Sequence, residues 1–123
     1  MRLWHQDLIS RLPRQQLLGQ HRECAALRGK GWGRSHATVN YVFNHVPYKL
    51  FQYHSVVMDE MEDRGYHPDP AWRDPLYRGK KEAPYTALVV EEDTQPIYPE
   101  HDEIYLQECL DNLADKGVDL EEG

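Results

Sequence analysis

The sequence predicts an all-α fold: one compact domain of three main helices joined by long ordered loops. Three observations carry that prediction. Apolar residues recur at helical spacing in three stretches, each closed by a glycine. The one β-like stretch, residues 85–90, has no partner from which to build a sheet. A chain of 123 residues, 40% hydrophobic and 11% aromatic, has the size and content for a single domain, 1–123, around one modest core.

The first helix is predicted over about residues 13–28. Pro13 sits near its first turn, where a missing N–H is tolerated, and Gly29 stops it. Leu17, Leu18, His21, Cys24, Ala25 and Arg28 share one face at helical spacing. Arg22 and Glu23 project from the other side, beside the small residues Gly19 and Ala26, which leave room for a second backbone or a nucleotide. The second helix is predicted over about 47–64, with a buried stripe of Leu50, Phe51, His54, Val57, Met58 and Met61 and a stop at Gly65. The third covers about 101–116, with Leu106, Leu110, Leu113 and Ala114 inward and Gly117 as terminator.

A basic glycine-rich loop, Gly29 to His36, and a short apolar piece, 37–43, join the first two helices. The loop fits neither nucleotide-binding glycine pattern. Two readings stay open: an arm carrying Lys30, Trp32 and Arg34 to phosphates and bases, or a turn in which Trp32 caps the core. Residues 66–99 form a long proline-containing connection. It starts basic at Arg73, Arg78, Lys80 and Lys81 and turns acidic at Glu91-Glu92-Asp93.

Charge divides the chain. Residues 1–58 hold eight basic side chains against two acids, Asp7 and Glu23, and residues 59–123 hold six against nineteen, for a net charge of −7. The last residues, about 117–123, read as an acidic tail. Such asymmetry points to a polyanionic partner for the basic half, and Glu23 is a lone carboxylate on a cationic helix. No apolar run approaches the roughly 20 residues that span a bilayer, and the start Met1-Arg2-Leu3-Trp4 lacks a signal-peptide core, so a cytoplasmic location is expected. Cys24 and Cys109 form no CxxC pair and read as small core residues. Seven histidines include no HExxH, and His21 and His54 fall on apolar stripes, so no metal site is expected.

The segment Leu8-Ile9-Ser10-Arg11-Leu12, with Gln15, Leu17 and Arg22-Glu23, resembles the N-terminal region of pyrimidine-dimer DNA glycosylases of the phage endonuclease V type, without a gap from the first methionine. His36-Ala37-Thr38-Val39-Asn40-Tyr41 and Glu62-Asp63-Arg64-Gly65-Tyr66 are similar to the second-helix region of that family, and residues 103–116 match more loosely. The resemblance implies a three-helix glycosylase and abasic-site lyase without cofactor, acting on damaged double-stranded DNA. It implies an α-amino nucleophile that forms an imine at C1′, with Glu23 as acid/base and Arg22 positioning phosphate or an everted nucleotide. The family exposes a small second residue; here Arg2 stands there, and its bulk assigns the amine to Met1. Arg2, Arg22, Lys30 and Arg34 become the expected DNA contacts, joined by Trp32 and His36, with Arg28 turned inward by helical phase. No membrane and no obligate protein partner are expected. The acidic C-terminal half leaves the lesion open between dimers, another base lesion and an abasic site. Two other classes remain: a non-catalytic nucleic-acid-binding relative, and an interaction protein using that acidic half.

Overall fold

A computed structural model of the chain describes residues 2–32 and 38–120. It contains three α-helices, α1 (Arg14–Arg28), α2 (Pro47–Asp63) and α3 (Glu103–Asp115), and no strand among the described residues. Each predicted helix is present, with ends shifted by at most two residues. Pro13 is the N-cap of α1 rather than its first residue, and Pro47 opens α2. Asp102 caps α3 by accepting the Tyr105 N–H at 2.9 Å. Gly65 and Gly117 end α2 and α3 at φ +90° and +83°, a conformation that glycine adopts without steric cost.

Three short 3-10 helices, Gln6–Arg11, Asn40–Asn44 and Pro70–Arg73, were not legible as such. Residues 85–90 form no strand: the Tyr85 N–H donates to Leu76 O at 2.9 Å, but no ladder follows from it. After α1 the chain doubles back tightly, and the Gly31 N–H donates to the Ala26 carbonyl at 2.9 Å. A Cβ on Gly31 would lie 2.8 Å from that oxygen and 2.9 Å from Leu27 Cα, so this turn requires glycine.

The core is built between α1 and α2. Leu17, Cys24 and Leu27 face Leu50, Tyr53, Val57 and Met61, and both cysteines are buried and free. Leu3, Trp4, Leu8, Ile9 and Leu12 pack from the N-terminal segment, Val39 and Val42 from the inter-helix loop, and Cys109 and Leu113 from α3. Of the residues expected inward on α3, Leu106 and Leu110 are half-buried, whereas Ala114 is exposed and Cys109 is buried instead.

The long connection is held by basic side chains that reach backbone carbonyls. The buried Arg28 guanidinium donates to Trp72 O (2.8 Å), Asp74 O (2.7 Å) and Tyr77 O (3.0 Å). Arg78 returns the contact to Arg28 O and Gly29 O, both at 3.0 Å. Lys49 donates to Ile97 O at 3.1 Å and pairs with Glu91 at 3.3 Å. Arg28 also donates to His54 Nδ1 at 3.0 Å, so the His54 proton lies on Nε2 and points to His21 Nδ1, 2.8 Å away. His54 is a satisfied core histidine, as its place on the apolar stripe predicts.

His101 starts a relay with one direction. Its Nδ1 accepts the Gln6 N–H at 3.1 Å, so Nε2 donates to the Tyr41 hydroxyl at 2.7 Å. Tyr41 bonds Tyr105, whose hydroxyl donates to Leu3 O at 2.5 Å. Burial pushes the His101 pKa down to about 3 from its ordinary 6.5, and the neighbouring His5 adds to the shift. The unfolded chain therefore takes up this proton first as pH falls. Stability is full above the unfolded value and is lost as pH drops below it, by about 2 kcal/mol between pH 7 and pH 5 for one such histidine. We expect Tm to fall by roughly 8 °C over that interval. His101→Gln, which keeps an acceptor for Gln6, should show a shallower slope, and parallel Tm profiles would contradict this account.

Candidate active site

The described start of the chain, residues 2–5, belongs to no helix and has no strand to pair with among the described residues, yet buried backbone polar groups must be satisfied. Side chains do it. The Arg2 N–H bonds the Glu23 carboxylate, and Arg2 O accepts from Gln20 Nε2 at 2.9 Å. Leu3 O accepts from Tyr105. The Trp4 N–H donates to Gln20 Oε1 at 2.6 Å, and Trp4 O accepts from the Tyr53 hydroxyl at 2.5 Å. Residues 2–4 are thus fixed to α1, α2 and α3 at once, with Glu23 at their leading edge.

Glu23 lies on α1 and is half-buried. Gln20 Nε2 donates to its Oε2 at 3.0 Å. Burial raises its pKa above the ordinary carboxylate range. The Arg2 backbone N–H, the charge of the terminal amine, the Gln20 amide and the Arg22 guanidinium each hold it down. A cavity of about 280 Å³ opens beside it, lined by Arg2, Trp4, Glu23, Thr38, Asn112 and Lys116. Its volume sits near the lower end of the roughly 300–1,000 Å³ typical of small-ligand sites. Arg22 is exposed, and its Nη2 lies 3.6 Å from where a Gly19 Cβ would be. The guanidinium therefore occupies the space that the small residue leaves.

A larger cavity, about 570 Å³, begins at Ala25 and Ala26, one helical turn beyond Glu23. Trp72 and Tyr77 supply aromatic surface, and Gly29, Gly31 and Gly79 keep its walls low. Lys30, Lys80 and Lys81 are exposed around it.

The structure brings Arg2, Arg22 and Glu23 together and puts Lys30 at the larger cavity. Arg28, expected to contact DNA, is instead enclosed: its guanidinium is taken up by three carbonyls and His54, under the Trp72 ring at 4.9 Å. Trp32 packs on the core with its ring edge-on to Phe43 at 5.1 Å, the cap rather than the outstretched arm. Met1, Arg34 and His36 lie outside the described residues. Lys80, Lys81 and Lys116 are additional cations at the two cavities. Lys80 and Lys81 read in the sequence only as the basic start of the long connection, and Lys116 as an isolated base in the acidic half, because nothing in the sequence shows that the fold brings them beside α1. Gln20 escaped sequence reading because its partners are mostly backbone atoms, which leave no residue pattern. Among the described residues, no group of three or more His, Cys, Asp or Glu side chains is arranged to hold a metal ion.

A family profile described as Pyrimidine dimer DNA glycosylase matches residues 1–74, more than half of the chain. The span includes α1, α2 and the whole pinned start with Gln20, Arg22 and Glu23. No curated protein and no solved structure matches.

Proposed function

The chain belongs to the pyrimidine dimer DNA glycosylase family, and from that premise we propose that it is a glycosylase with abasic-site lyase activity, working through the α-amine of Met1 and the carboxylate of Glu23. The observation that carries this reading is the hydrogen bond between the Arg2 N–H and Glu23. Covalent geometry keeps the α-nitrogen of the preceding residue within about 4 Å of that amide nitrogen. The amine and the acid then share one neighbourhood, beside a cavity ringed by Arg2 and Lys116.

The chemistry follows from these groups. A terminal amine has a reference pKa near 8, so a fair fraction is neutral at physiological pH; Arg2 and Arg22 favour that nucleophilic form, and the ionised Glu23 carboxylate opposes them. Its lone pair attacks C1′ as the glycosidic bond breaks. The base leaves with the bonding pair and a proton, and opening of the sugar ring gives an imine. Glu23, its pKa raised by burial, serves as proton acceptor and donor. As a carboxylate it stabilises the positive charge that develops on the sugar. It then takes the C2′ proton, and β-elimination releases the 3′ phosphate.

In the same proposal Arg2, Arg22, Lys30, Lys80, Lys81 and Lys116 contact the phosphate backbone and make binding salt-dependent. The larger cavity receives a nucleotide swung out of the duplex, its face against Trp72 or Tyr77. A lesion costs less to unstack than a sound pair. Arg28 and Trp32 are left out of this interface, because their contacts are internal.

The test is borohydride trapping with duplexes carrying either an abasic site or a thymine dimer. A covalent adduct mapped to Met1 is expected, and adduct formation should fall as salt is raised. A protein that binds both duplexes without any adduct overturns the enzyme reading, and an intact mass showing a blocked amine overturns the role of Met1.

A further inference from the structure

We propose that Gln20 is the positioning residue of this site, its amide holding Glu23 and the amine-bearing chain start in one fixed relation. The proposal rests on the reading of Glu23 and the terminal amine given above.

Gln20 is 1% exposed, and its side chain meets four partners. Oε1 accepts the Trp4 N–H at 2.6 Å and lies 2.9 Å from the Tyr53 hydroxyl. Nε2 donates to Arg2 O at 2.9 Å and to Glu23 Oε2 at 3.0 Å. The two ends of an amide are usually assigned by inference, but here backbone chemistry fixes them. An N–H only donates and a carbonyl only accepts, so Trp4 demands the oxygen and Arg2 demands the nitrogen. The same orientation turns an N–H donor toward Glu23. A glutamine tethering the first residues to α1 therefore favours the ionised carboxylate as well.

Two consequences are separable. The tether holds the start of the chain in register with the acid, and misplacement by about 1 Å is enough to slow a reaction some 10²-fold. The donor counters the burial that raises the Glu23 pKa, alongside the Arg2 N–H and the terminal amine from the chain start and Arg22 on the same helix, while Lys116 of the segment after α3 lines the same cavity. Tyr53 acts only on the oxygen side of the amide, so its loss should leave the donor in place.

Gln20→Met keeps the length of the side chain and removes both N–H donors. The expected result is an upward shift of about one unit in the Glu23 titration midpoint, followed by NMR of its side-chain carboxyl carbon. The acid limb of the trapping rate should move up in step, and the rate at neutral pH should fall roughly tenfold or more, with affinity for abasic duplex nearly unchanged. Tyr53→Phe should leave the Glu23 midpoint where it is. A Glu23 midpoint in folded Gln20→Met equal to that of the wild type overturns the proposal. If Gln20→Met does not fold, the wild-type protein decides. The Gln20 side-chain NH2 protons should shift with the Glu23 midpoint, and protons that stay constant through that titration overturn the proposal. Should the wild type form no adduct, the enzyme reading falls by itself, while the NMR titration still reports whether Gln20 governs Glu23.

Discussion

Glu23→Gln is expected to lower borohydride trapping and strand cleavage by about 10²- to 10⁴-fold, the range removed with a positioned acid/base. The fold should survive the change. The substitution keeps the shape of the side chain, and its carbonyl still accepts from Gln20 Nε2. Thermodynamic linkage gives the accompanying sign. Burial raises the folded pKa of Glu23, so the native state holds this proton more tightly than the unfolded chain, and stability is lost as pH rises through that folded value. The neutral glutamine escapes the penalty, and the variant should be as stable as wild type or more so at pH 7. An inactive variant with undiminished Tm is the signature of a group kept for chemistry at the expense of stability. A variant that traps and cleaves like wild type removes Glu23 from the mechanism.

Arg28→Met is expected to cost about 4 kcal/mol and to lower Tm by roughly 15 °C. Removing the guanidinium strands the carbonyls of Trp72, Asp74 and Tyr77 and the Nδ1 of His54. Unsatisfied buried acceptors are costlier than the bonds are favourable. The planar fork spans these acceptors and stacks on Trp72, which the single ammonium of lysine does not reproduce, so Arg28→Lys should recover only a minor part of the loss. Residues 72–78 also form a wall of the larger cavity, so duplex affinity should weaken alongside stability. Thermal and urea unfolding at pH 7 measure the effect. A Tm within about 2 °C of wild type would show that the connection is held by other means.

These two residues lie five positions apart on one helix, and they divide what was legible from what was not. The existence and limits of α1, α2 and α3 were set locally, by apolar spacing and by Pro13, Pro47, Gly29, Gly65 and Gly117 at their ends. Glu23 stood out because a lone acid among bases is a one-dimensional signal. The 3-10 helix Gln6–Arg11 had no such signal, since six residues bonded from i to i+3 lack a 3.6-residue period. Residues 66–99 were readable as a long connection, but the arginine bonds that order it join positions 44 to 50 residues apart.

By itself the sequence determined the three helices, the all-α class and the one carboxylate worth watching, because helical periodicity and capping are properties of neighbouring residues. The tertiary structure alone decided which charges face outward. It sent Arg28 inside, brought Lys80, Lys81 and Lys116 from the acidic half to the two cavities, and made Gln20 the link between the chain start and Glu23. Hydrogen bonds from side chains to distant carbonyls and amides depend on where the backbone passes, and no residue pattern records that course.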